Sequence, residues 1–165
     1  MCIKLMCIKL FGQKPITPPV TDTPVLPVPE SETITITREA FVAKMREYGI
    51  EPVSMATPLD SIVRLASKTE LDRIAPELVY PADWYAETLW DCEDYALQAQ
   101  CDAGRKFEIT VRLGLGNMDL GYHGFALTLD RDLNLRILEP NGGFPYAGQW
   151  FRKGIYNYLP DKVFI

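Results

Sequence analysis

The chain predicts an α+β domain in which N-terminal helices pack on a C-terminal antiparallel β-sheet. Three observations predict it. Segments with helical spacing fill the stretch before Gly104. After Gly104 come three strand-like runs, KFEITVRLGLG, YHGFALTLD and LNLRILEP. The turn sequences GNMDLG and DRDLN join these runs closely enough for an antiparallel meander.

The first helix is read from TITITREAFVAKMREYGI. A short alternating run leads to Thr37, placed as an N-cap, with Glu39 in the first turn. Phe41, Val42, Met45 and Tyr48 keep one apolar stripe, and Gly49 closes it. TPLDSIVRLASKTELDRIAPEL predicts two helical pieces, the first capped by Thr57 or Asp60 and the second limited by Pro76. YPADWYAETLWDCEDYALQAQCDAG predicts a turn and a long helix over 92–103, stopped by Gly104. WFRKGIYNYLPDKVFI adds a short aromatic element after the sheet.

The 165 residues suffice for one domain with a real core. Residues 1–31 predict an extended arm and residues 32–165 the folded domain. Six prolines between Pro15 and Pro29 forbid helix and favour polyproline II. Ahead of them the pentapeptide MCIKL occurs twice in tandem, too short for the apolar region of a signal peptide. An arm of this kind suits docking to an assembly partner or to a second copy of the chain.

The net charge of −5, with no basic block, argues against a nucleic-acid surface. No apolar run reaches the ~20 residues that a membrane span needs. The four cysteines are Cys2, Cys7, Cys92 and Cys101, without a CxxC pair, and a single histidine cannot complete a Cys/His zinc cluster. A reducing, cytoplasmic setting, with a host cell's cytoplasm or a virion as alternatives, is the expected location. Cys101 is read as core packing.

The chemistry concentrates in LWDCEDYALQAQ. Cys92 opens a helix, where the positive end of the dipole favours a thiolate. His123, the sole histidine, lies on the second strand-like run, and Glu139 and Asn141 end the next. Adjacent strands lie ~4.8 Å apart, so same-face residues on them can touch. Cysteine, imidazole and a carboxylate or amide in this order suit nucleophilic catalysis: an imidazole that takes and returns the proton, and a third group that orients it. The Cys92 amide, with a donor from the preceding loop, suits an oxyanion. Asp91, Glu93 and Asp94 cut the other way, because negative neighbours disfavour a thiolate. Either a hard cation such as calcium offsets them, or they point away from the sulfur as first-turn acids.

WDCEDYA, then HGFALTL, then LRILEP, resembles the bacterial transglutaminase-like cysteine proteinases, of the wider papain-like and transglutaminase-like fold, with small relatives encoded by phages. The resemblance spans roughly residues 89–141. It implies that Cys92 is the nucleophile, His123 the base and Glu139 the orienting residue, with Asn141 as a substitute for Glu139. It also implies a calcium site at Asp91 and Glu93, although no cofactor is required. The expected function is thus a thiol-dependent peptidase or amidase with a protein or peptide substrate. Two alternatives stand beside it: a non-catalytic binding or structural module of the same fold, for example in a virion, and a peptidoglycan-cleaving amidase.

Overall fold

A computed structural model describes residues 26–54, 61–86 and 88–165. The MCIKL repeat, most of the proline-rich arm and both proposed caps Thr57 and Asp60 lie outside the described residues.

The elements in chain order are β1 (Thr33–Thr37), α1 (Arg38–Glu47), β2 (Glu51–Val53), β3 (Ile62–Ala66), α2 (Lys68–Ile74), α3 (Cys92–Phe107), β4 (Arg112–Met118), β5 (Gly121–Leu129), β6 (Leu135–Leu138), β7 (Trp150–Phe151) and β8 (Leu159–Phe164). Short 3-10 turns at Glu30–Glu32, Ala75–Leu78, Ala82–Trp84 and Ile155–Asn157 link them. A six-stranded sheet runs β2-β8-β4-β5-β6-β7, and β1 pairs with β3 in a separate two-stranded ribbon.

This layout corrects the expected one. Strands and helices alternate in the N-terminal half, so there is no helical layer followed by a sheet. The large sheet is mixed, because β2 lies parallel to β8 while β4, β5, β6 and β7 pair antiparallel. The stretch IVRLA, expected to be helical, is β3. Its β-branched Ile62 and Val63 suit an extended chain, and it finds a partner in TITIT, with Ile34 opposite Leu65 and Ile36 opposite Val63. Periodicity over five residues cannot reveal a partner 30 positions away.

The local helix signals are met. Thr37 accepts from Ala40 N at 3.1 Å, and Ser67 caps α2 by accepting from Glu70 N at 3.3 Å. The third helix runs past Gly104 to Phe107, where Glu108 takes a left-handed conformation (φ 57°).

Two clusters form the core. On one face of the sheet, Tyr95, Ala99, Ala103 and Phe107 of α3 pack with Ala126, Leu138, Leu71 and Ile74. On the other, Phe41 and Met45 of α1 pack with Phe125, Leu127, Ile137 and Tyr158. The period-2 alternation of β5 explains the split, since Ala126 faces α3 while Phe125 and Leu127 face away. Val28 is buried in the first cluster, and Arg73 donates to the carbonyl of Leu26 at 3.0 Å, so residues 26–28 are tied to the domain.

Candidate functional site

The N-terminus of α3 is held by a capping box. Asp91, the N-cap, accepts from Glu93 N at 3.3 Å, and Asp94 reaches back to accept from Asp91 N at 3.0 Å. Two of the three acids around the thiol are therefore occupied with orphan backbone donors. Glu93 is not. Its Oε2 accepts the S–H of Cys92 at 3.0 Å. Cys92 is buried, and Cys101 is exposed on the outer side of α3 instead of in the core.

Among the described residues, the one cluster able to offer three metal-ligand atoms is Asp91, Cys92 and Glu93, whose atoms lie within 4.8 Å of one another. Hydrogen bonding to Glu93 pushes Asp91 up to about 6, while the same bond holds Glu93 below its ordinary value. Two carboxylates suit a hard cation; the sulfur between them is soft and does not.

The helix start meets the sheet at Gly124. A Cβ there would lie 3.1 Å from Glu93 N and 3.2 Å from the carbonyl carbon of Cys92. The absence of a side chain at this position is what lets α3 bring Cys92 down beside the strand that carries His123.

His123 is half-buried, and its Nε2 lies 2.7 Å from Oε2 of Glu139. Glu139 is 1% exposed. The same Oε2 accepts the hydroxyl of Tyr158 at 2.6 Å, and Oε1 accepts the backbone N–H of Asn141 at 2.9 Å. Asn141 thus approaches Glu139 through its main chain, while its Oδ1 accepts from Gly143 N at 2.9 Å. With Nε2 directed at Glu139, Nδ1 is the ring nitrogen left for a thiol or a ligand. Phe144 packs on the imidazole at a centroid distance of 5.4 Å.

The expected site residues therefore fall in two groups. His123, Glu139 and the Asn141 main chain are joined by hydrogen bonds. Asp91, Cys92 and Glu93 form a second group, against the same strand one residue on. Tyr158 was not foreseen. It lies 19 positions beyond Glu139, in an aromatic stretch with no spacing signal to link it to the site.

The wall ahead of Cys92 is aromatic. Trp84 stacks on Tyr80 at 5.6 Å and meets Trp90 edge-on at 5.9 Å, and Trp90 in turn meets Tyr95. Trp84 keeps 47% of its surface exposed. The loop carrying Asn141 is stitched to this wall, with Tyr80 N donating to Pro140 O at 2.8 Å and Gly142 N to Tyr80 O at 2.9 Å.

No protein-family model matches the chain, and no curated protein matches it in sequence. Solved structures similar in fold include these two. One is described as a PSL1a–E64 complex, with 12% identity, a TM-score of 0.54, and coverage of 79% of this chain and 51% of that one. The other is Polyporus squamosus lectin bound to the human-type influenza-binding epitope Neu5Aca2-6Galb1-4GlcNAc, with 12% identity, a TM-score of 0.57, and coverage of 79% and 49%. The chain spans about half the length of the solved chains it matches.

These findings correct the expected family. The fold is shared with a lectin and not with the transglutaminase-like proteinases. The peptidase or amidase assignment rested on that family and is set aside with it, as are the module of the same fold, the virion role and the peptidoglycan amidase. The expected protein or peptide substrate is set aside with it. Among the described residues no helix is long and apolar enough to cross a membrane.

Proposed function

We propose that the chain is a ligand-binding domain whose site is the junction of α3 with the β5–β6 hairpin, where Cys92, His123 and Glu139 converge and Cys92 is the attachment point for an electrophilic ligand. One observation carries this reading: a buried carboxylate orients the sole imidazole beside the strand position against which the thiol-bearing helix starts. An imidazole so held can take the proton as the sulfur forms its bond. The likeness to a chain in complex with E64 supports it. Peptide or amide hydrolysis is no part of this reading.

E64 and a simple thiol-directed alkylating agent test it by intact-mass measurement. Cys92 is expected to be labelled at neutral pH roughly tenfold or more faster than the exposed Cys101, and His123→Ala is expected to abolish the preference. Equal, slow labelling of both cysteines overturns the reading.

A glycan-binding reading is favoured by a different observation, the exposed face of Trp84 stacked on Tyr80, because aromatic faces pack on sugar rings. Titration with Neu5Aca2-6Galb1-4GlcNAc while following tryptophan fluorescence tests it. Saturable binding lost in Trp84→Ala supports this second reading, and no binding retires it.

Calcium enters either reading as an ion held by Asp91 and Glu93. The two residues supply only part of the six to eight oxygens calcium takes, so water completes the shell. A rise in melting temperature on adding calcium, reversed by a chelator, is expected. An unchanged melting temperature removes the ion from the account.

A further inference from the structure

We infer that Tyr158 is a positioning residue that sets the tautomer and angle of His123 through Glu139; this deepens the thiol-site reading above and rests on it. Glu139 offers two oxygens, and the structure divides them. The inner Oε1 is occupied by the Asn141 main chain, and the outer Oε2 is shared by Tyr158 Oη at 2.6 Å and His123 Nε2 at 2.7 Å. Two donors on one oxygen fix where that oxygen lies. Tyr158 is fully buried, and burial followed by the charge of Glu139 pushes its phenol far above the ordinary tyrosine range, so it stays a donor. With the hydroxyl donating, Oε2 has a lone pair directed at the ring nitrogen, which favours the Nε2–H tautomer and leaves Nδ1 as the acceptor.

The backbone delivers Tyr158 to this point at a conformational cost. Gly154, Tyr156 and Asn157 all have positive φ (87°, 53° and 58°), and non-glycine residues in that region are strained. The turn is held on several sides. Gly154 N donates to Tyr158 O at 2.8 Å, Asn157 Nδ2 donates to Asp119 at 2.9 Å, and the Tyr156 ring stacks on Tyr146 at 4.2 Å. The phenol itself is gripped edge-on by Phe125 and Phe151 at 5.2 and 5.0 Å and meets the imidazole at 6.0 Å. A core tyrosine needs none of this; a phenylalanine fills the same space.

The test uses the full chain labelled with 15N-histidine, which reports on His123 alone because it is the sole histidine. In Tyr158→Phe, the two ring-nitrogen shifts are expected to move toward each other as the tautomers mix, with the rate of Cys92 labelling reduced about tenfold or more. Unchanged nitrogen shifts in a folded Tyr158→Phe overturn the inference, whatever the labelling shows. If Tyr158→Phe does not fold, the unmodified chain decides. A nuclear Overhauser effect between the Tyr158 hydroxyl proton and the Nε2-bound proton of His123 supports it, and its absence with both protons visible overturns it. Shifted nitrogen resonances combined with a wild-type Cys92 no faster than Cys101 support the role of Tyr158 while sinking the thiol-site reading.

Discussion

The β5–β6 hairpin holds a buried carboxylate at each end, and the two are satisfied by different means. At the turn end, Asp130 is 1% exposed and accepts from Arg136 Nε and Nη2 at 2.9 and 2.6 Å. It also accepts from the backbone N–H groups of Asp132 and Asn134 at 3.0 and 2.9 Å. Every partner comes from the next six residues, and the cation is permanent. At the open end, Glu139 is equally buried but meets no permanent cation: its partners are an imidazole, a phenol and one backbone N–H. The imidazole is half-buried and keeps a nitrogen for another group. The turn end is a lock. The open end spends the same desolvation on orienting an imidazole.

The same isosteric change at both ends sharpens the contrast. Asp130→Asn leaves the Arg136 guanidinium, itself 5% exposed, buried without its counter-charge, and is expected to cost about 3–5 kcal/mol in denaturant unfolding. Glu139→Gln strands no permanent charge and is expected to cost about 1–3 kcal/mol, with the larger loss appearing in Cys92 labelling. Equal stability losses at the two ends would erase the distinction between lock and site.

Gly124→Ala places a methyl against the backbone of Cys92 and Glu93. A stability loss of about 1–3 kcal/mol is expected from overpacking. Cys92 labelling should fall further than stability, since the start of α3 must shift away from the strand. Labelling at the wild-type rate would show that the junction is not the site.

The smallest effect concerns pH. Asp91 takes up its proton more readily when folded, at about 6 against an ordinary 3.8, so the folded chain binds the extra proton. Its contribution to stability is complete below about pH 4 and is lost as pH rises through about 6. Melting temperature should therefore decline across that interval, and Asp91→Asn, which keeps a competent N-cap, should flatten the decline. An unchanged slope in Asp91→Asn shows that Asp91 does not carry the pH dependence.

Much of the local structure was legible. Thr37 and the stripe from Phe41 to Tyr48 define α1, LWDCEDYA marks the start of α3, and each of the three runs after Gly104 supplies a strand, the first only from Arg112 because its opening residues still belong to α3. The pairing of His123 with Glu139 could be anticipated because β5 and β6 are consecutive and joined by a short turn. What escaped were contacts between distant segments. Neither the β1–β3 ribbon nor the parallel docking of β2 on β8 leaves a mark in either strand's own spacing. The acids around Cys92 posed a question whose answer is geometric: Asp91 and Asp94 serve the capping box, and Glu93 alone meets the sulfur.

The sequence by itself determined where α1 and α3 start and which residues alternate along the strands after Gly104. These are local properties, set by dihedral preference, capping and side-chain period. Only the tertiary structure decided the sheet order, the place of Tyr158 on the oxygen that faces His123, and the division of labour among three neighbouring acids. Those depend on which distant groups arrive at one buried carboxylate, because a buried charge draws donors from wherever the chain can supply them.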